Sequence, residues 1–440
     1  MSRILSRRAA LRAAGVGIGV LGVGLSTGIS PAIAAAATHP ASIAHSVRAI
    51  NSTGEPTSTA AGHATGGPTI RPAQPMVIDG RPTGTDFVRY EDLYKLGDTV
   101  TKALGRLTTN SIVTFPEGIF ECAGFDHNLA DIGIYVPKIC AGIWGSVPAS
   151  KMTYNGSNGT IFQVKPNSST SAKYVPTRKG TAVPMRVMMR MGASTGASYG
   201  NFHVRGTDQG HIYQGFYDYN SPGKVTVQDC LFSGAEISGV SPPGETFVFG
   251  IHNAPDHLVA RCEFDGRRYS DGLPHGGLGT VQNCDKGTWI DCYGHHAKAS
   301  SMVIYQSTHI DFWDCRSEWN GMGGNPLNGS GWNHERANAI RHIRPSSYVD
   351  QRNGNVGVHM TFSNDTWSSP VYGTQTDGKV YVEDPTWNKL LTYPDDSFLI
   401  QTWHPYGNGD VQKSAPVLVD RQGAALAKFK WVHSVDQQNK

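Results

Sequence analysis

Four ionisable residues stand at nearly constant offsets from a recurring cysteine. Asp265 follows Cys262 by three residues, His295 and His296 follow Cys292 by three and four, and Glu318 follows Cys315 by three. Imidazole titrates near neutrality, and a positioned acid or base contributes about 10² to 10⁴-fold to a rate. Two arrangements are open. In one, a histidine removes a substrate proton while Arg267 or Lys298 neutralises an anionic group nearby. In the other, Asp265 and Glu318 act as acid and base about 10 Å apart at the backbone, two strand spacings, which leaves room for an attacking water. Adjacent residues of a strand point to opposite faces, so His295 and His296 are not expected to share a metal. No metal set has convincing spacing, and no phosphate-loop or dinucleotide fingerprint follows the first 36 residues, so no metal and no cofactor are expected.

A second cluster is Gly329-Ser-Gly-Trp-Asn-His-Glu-Arg336. Its glycines predict a loop. Trp332 could stack on a sugar ring while His334 and Arg336 bond the hydroxyls, with Glu335 as a further acid. This loop is expected to wall the far side of a cleft lined by Asp265, His295, His296 and Glu318.

The elements that must position these residues repeat. Lys224–Cys230, Asp256–Cys262, Lys286–Cys292 and His309–Cys315 each place an apolar residue three before the cysteine: Val227, Val259, Trp289 and Phe312. The residue just before the cysteine is polar in all four. Ser221, Asn253, Asn283 and Gln306 lie nine before it, as a polar ladder at a tight corner would. The intervals are 32, 30 and 23 residues, the last near the minimum for one three-strand coil. A β-sandwich would not repeat one register four times. Stacked coils do, and they turn the cysteines inward as small hydrophobes. Equal offsets then mean equal angular positions, so Asp265, His295 and Glu318 should fall on one line along the stack.

The chain of 440 residues opens with Arg3, Arg7, Arg8 and Arg12, then an apolar Gly/Ala/Val/Leu run and small residues to Ala36. This is the pattern of a cleaved export signal, and Arg7-Arg8 resembles the twin-arginine type. Residues 37–75 read as a flexible lead-in, 76–370 as the stacked coils, and 371–440 as final coils and a cap. A secreted location is expected, with no membrane span once the signal is removed. Without residues 1–36 the chain has 34 basic against 35 acidic residues. That balance argues against a nucleic-acid partner, which needs clustered positive charge. An apolar stripe of Leu93, Leu96, Val100 and Leu104 predicts one helix over 86–107. A strand at 112–115 and the turn Pro116-Glu117-Gly118 follow.

With these repeats the chain resembles the pectin-lyase-like superfamily of right-handed parallel β-helices. The helix, strand and "FPEG" turn resemble its N-terminal cap. The resemblance implies an all-β solenoid and a polysaccharide partner bound along one sheet. Polygalacturonases of this superfamily carry catalytic carboxylates just after the strand that here leads to Glu236, Asp265, Asp271, the two histidines and Glu318. Their own Asn-Thr-Asp and Gly-Asp-Asp motifs are absent. The expectation is a secreted carbohydrate-active enzyme, with hydrolysis slightly favoured over lyase chemistry. The alternative is a non-catalytic glycan-binding or adhesion protein.

Overall fold

The structure is a computed structural model. It describes residues 86–122, 132–164, 185–191, 196–206, 212–234, 247–267, 277–297, 301–320, 330–335, 339–349, 358–363, 380–387, 398–403, 417–419 and 429–433, with a few short stretches between them. The expected signal and lead-in lie outside these residues.

Three long sheets of parallel strands run the length of the described chain, with 11, 9 and 10 strands. Each coil contributes one strand to each sheet. Val225–Gln228, Leu231–Ser233 and Phe247–His252 are successive strands of the first, second and third sheets. The next coil supplies His257–Ala260, Glu263–Asp265 and Gly277–Gln282, each paired in register with its predecessor. This is a parallel β-helix, wound in the right-handed sense that parallel crossovers take.

One buried core fills it. Phe232, Phe264, Trp289 and Phe312 are fully or almost fully buried. The Phe232 and Phe264 rings stack at 5.6 Å, and Trp289 lies 5.7 Å from Phe264 and 5.6 Å from Phe312. Six cysteines (140, 230, 262, 284, 292 and 315) are buried and free. Burial pushes the Cys140 thiol up to about 11 and Cys284 to about 12, so they stay protonated.

The polar residue before each repeat cysteine is not on a wet strand face. Asp229, Arg261, Asp291 and Asp314 have φ of 54°, 51°, 48° and 53°, which makes them the corner between the first and second sheets. Left-handed backbone costs most L-residues about 1–2 kcal/mol, and Asp tolerates it best. The corners are pinned across coils, with Arg261 on Asp229 and Arg344 on Asp314. At the corner before the first sheet the ladder holds Asn253 and Asn283, but its earlier member is Asn220 rather than Ser221. Asn220 has φ 62°, and its Oδ1 accepts from Asn253 Nδ2.

The N-terminal stripe does not form one helix. The strand Phe87–Arg89 precedes two short helices, Tyr90–Leu93 and Val100–Leu104. Gly97, at φ 85°, breaks the run, and Thr99 caps the second helix by accepting from Lys102 N–H. Leu104 is fully buried, whereas Leu96 is 98% exposed at the break.

Candidate active site on the second sheet

From Leu231 to Glu318 the strands of the second sheet alternate. Phe232, Phe264, Gly294 and Ser317 face the core, so the residues on either side of each face outward. Two outward columns result. One runs Arg205, Ser233, Asp265, His295, Glu318, Tyr348, each paired with the next. The other runs Leu231, Glu263, Tyr293, Arg316, Ser346. The expected line of Asp265, His295 and Glu318 is thus present. Its neighbours Glu263, Tyr293 and Arg316 are functional candidates that the sequence reading missed. They stand one residue after the same cysteines, and period-two alternation would have found them.

Asp265 is fully buried although it faces outward, because the segment around 149–156 covers this end of the sheet. Ala149 and Met152 pack on Leu231, Arg205 donates to the Gly156 carbonyl at 2.6 Å, and the Arg267 guanidinium lies 4.2 Å above the Tyr154 ring. Arg267 Nε is 2.9 Å from both carboxylate oxygens of Asp265, and Arg267 N–H bonds Oδ1 at 2.9 Å. Burial by itself would raise the Asp265 pKa. The His295 imidazole and the Arg267 hydrogen bonds and charge outweigh it and hold the carboxyl below its usual range. Asp265 and Arg267 therefore form a buried, mutually bonded ion pair beside His295.

His295 and His296 meet, against the expectation of opposite faces. His296 has φ 59°, so the strand ends there and its side chain turns back toward the same face. The two Nδ1 atoms are 2.6 Å apart. His295 Nε2 lies 2.9 Å from Glu263 Oε1, and its ring stacks on Tyr293 at 4.3 Å. A neutral imidazole carries one N–H. If His295 gives its Nε2–H to the Glu263 carboxylate, its Nδ1 must accept from His296 Nδ1–H, which leaves His296 Nε2 as the basic nitrogen. The half-buried His296 thus joins Glu263 and His295 in one proton chain.

In the next coil the Tyr293 hydroxyl donates to Glu318 Oε2 at 3.2 Å and Ser346 donates to Oε1 at 3.4 Å. Burial, and then the Glu318 charge, raise the Tyr293 pKa and keep its proton on. The Arg316 guanidinium lies 4.3 Å above the Tyr293 ring.

Asp265, His295 and His296 bring three ligand atoms within 4.8 Å of one another, so they could hold a divalent metal. The Asp265 oxygens that would complete the set are already bonded by Arg267, and a donor set engaged in this way fits a metal poorly.

The second cluster is placed elsewhere. Ser330–Glu335 is a strand of the third sheet, not a loop. Alternation turns Trp332 and His334 inward, 3% and 2% exposed. His334 Nε2 meets His342 Nε2 at 3.0 Å, and Trp332 packs on Phe312. Neither forms a cleft wall, because Trp, His and their neighbours fill the core where the Phe stack ends. The Glu335 backbone pairs with Tyr305 and Ser363 in that sheet, away from the histidines. The Glu335 side chain and Glu236, Asp271, Lys298 and Arg336 lie outside the described residues.

No family model matches the sequence, and no curated protein matches it. Solved structures do. The enzymatically active domain of bacteriophage CBA120 tailspike protein 2 aligns over 80% of this chain at 10% identity and TM-score 0.41; the match covers 47% of that domain, so this chain spans about half its length. Pectate lyase Pel9A aligns over 78% of this chain and 82% of its own, at 11% identity and TM-score 0.37. The A-module of the Azotobacter vinelandii mannuronan C-5 epimerase AlgE6 aligns over 80% and 96%, at 10% identity and TM-score 0.37. The pairing of every coil with the next in three parallel sheets makes this chain a right-handed parallel β-helix protein.

Proposed function

We propose that the chain is an exported acid–base enzyme acting on a polymeric glycan, with β-elimination at a uronic acid residue as its reaction. The observation that carries this reading is the Glu263–His295–His296 chain on an outward sheet face. His296 Nε2 takes the proton from the carbon next to the uronate carboxylate. The positive charge that forms is shared with His295 and balanced by Glu263, with Asp265 Oδ1 a further 3.9 Å from His295 Nδ1. Arg316, held over Tyr293, neutralises the uronate and so acidifies that carbon–hydrogen bond. The leaving sugar oxygen departs with the C–O electron pair, and a new C=C bond remains in the product. Hydrolysis loses its initial advantage because Asp265 is engaged by Arg267. The extended outward columns suit a chain laid along the axis.

The test is incubation with alginate, polygalacturonate, hyaluronan and a neutral glucan. Rising near-ultraviolet absorbance from unsaturated ends supports elimination, and His296→Gln should lower kcat by about 10² to 10⁴-fold. New reducing ends without that absorbance would make the chain a hydrolase. Binding with neither product would make it a glycan-binding protein. Export rests on residues 1–36: Arg7→Lys with Arg8→Lys should block secretion by the twin-arginine route, and undiminished secretion would show the pair to be incidental.

A further inference from the structure

Cys230, Cys262, Cys292 and Cys315 form a ladder with matching rungs. The carbonyl of each accepts a backbone N–H from the next coil: Glu263 on Cys230 at 2.9 Å, Tyr293 on Cys262 at 2.9 Å, Arg316 on Cys292 at 2.8 Å and Ser346 on Cys315 at 3.0 Å. Each thiol also turns the same way. It donates to the carbonyl two residues earlier, with Sγ at 3.2 Å from Gln228, 3.4 Å from Ala260, 3.5 Å from Ile290 and 3.4 Å from Trp313. Equal backbones and equal rotamers set the four sulfurs in one row at the coil spacing of about 4.8 Å. Neighbouring thiols interact along that row, and all four are buried and free.

Packing alone does not ask for sulfur on every rung. The corner between the third and first sheets also takes small buried residues, and there the register carries Ser221, Ala254, Cys284 and Ser307. Several small side chains serve that place. The cysteine row keeps one residue type for four coils and is bounded by Phe202 before it and Pro345 after it.

The spacing has a chemical meaning. Two metal–sulfur bonds of about 2.3 Å laid end to end span about 4.6 Å, close to the interval between rungs. The row is straight and its end sulfurs are about 14 Å apart, so only two sulfurs reach any one ion. Zinc, which takes four ligands in a tetrahedron, does not fit. A soft monovalent ion held by two sulfurs in line does. Each such ion displaces one thiol proton, which leaves to solvent. The apolar core therefore gains no net charge, which is the condition for burying an ion there.

We propose that the cysteine ladder is a copper(I) site, with ions held between successive rungs as linear sulfur–metal–sulfur units. The ladder lies on the core side of its corner, so the inference is independent of the glycan reading.

The experiment loads the full chain in two ways. One is production in copper-supplemented cells. The other is incubation of the purified folded protein with silver(I), which shares the charge and the preference for two sulfurs. Metal per chain is measured by elemental analysis after desalting, together with the melting temperature. Wild type should carry about two to three ions more per chain than Cys262→Ala/Cys292→Ala, which has no two adjacent rungs, and loading should raise its melting temperature because the ladder exists only in the folded state. Cys262→Ser/Cys292→Ser keeps the volume of both rungs and should lose the metal as well, which separates loss of sulfur from loss of packing. Double variants that hold as much metal as wild type would place it on the remaining cysteines and overturn the ladder. A wild-type chain that carries none by either route, or that melts lower when loaded, would overturn it too.

Discussion

Asp265 and His296 carry different duties although they lie in one cluster. Asp265 is fully buried with Arg267 bonded across its carboxylate, while His296 is half-buried and part of the proton chain. Removing the charge at Asp265 leaves Arg267 without its anion. Breaking such a buried pair typically costs about 3 kcal/mol or more. Asp265→Asn should therefore lower the urea midpoint by a corresponding amount, whereas His296→Gln should lose activity with little change in midpoint. An Asp265→Asn protein as stable as wild type would show that the pair is not structural. The pH dependence has a definite sign. The folded-state pKa of Asp265 lies below the ordinary value near 3.9, so this contribution is complete above that pH and is lost as pH falls through the lower folded-state value.

Each coil is held to the next by its inward residues. Trp289 illustrates this in the strand Gly287–Ile290. Its ring contacts Phe249, Phe264 and Phe312, and its Nε1–H donates to His257 Nε2 at 3.0 Å. Trp289→Ala should cost about 3–5 kcal/mol from the cavity and lost burial. Trp289→Phe keeps much of the packing but leaves the buried His257 nitrogen without its donor, at about 1–3 kcal/mol. Urea titrations of the two variants separate the contributions. An Ala variant within about 1 kcal/mol of wild type would mean that the stack relaxes around the missing ring.

For the molecule as a whole, buried histidines set a limit on acid stability. Burial lowers the pKa of His257 to about 3 and that of His252 to about 4, and it holds His203 and His342 below the ordinary value near 6.5. These groups stay neutral in the folded chain while the unfolded chain takes up protons below about pH 6.5. Stability should thus be undiminished above that pH and fall progressively between about pH 6.5 and 3. Melting temperatures measured across this window check the sign, and a flat profile would mean that these rings are hydrated in the folded state. The number of protons involved makes this a property of the whole stack rather than of one coil.

The repeat is legible in the sequence because every coil must return to the same angular positions, so the cysteine register alone places Asp265, His295 and Glu318 on one line. Polar residues before the cysteines are visible there too, but their reason, a left-handed corner, is a matter of backbone geometry that alternation does not reveal. Tertiary structure decides which ionisable groups remain available. Arg267 is two residues from Asp265, yet the pair is buried by a segment near residue 154 that is more than a hundred positions away in sequence. His296 joins His295 only because the strand ends at that residue. Trp332 and His334 turn inward because the interval between each repeat cysteine and the third-sheet strand varies in length, so no cysteine sets its parity. Sequence determines what recurs with the coil; burial, corner geometry and distant cover determine what each side chain can do.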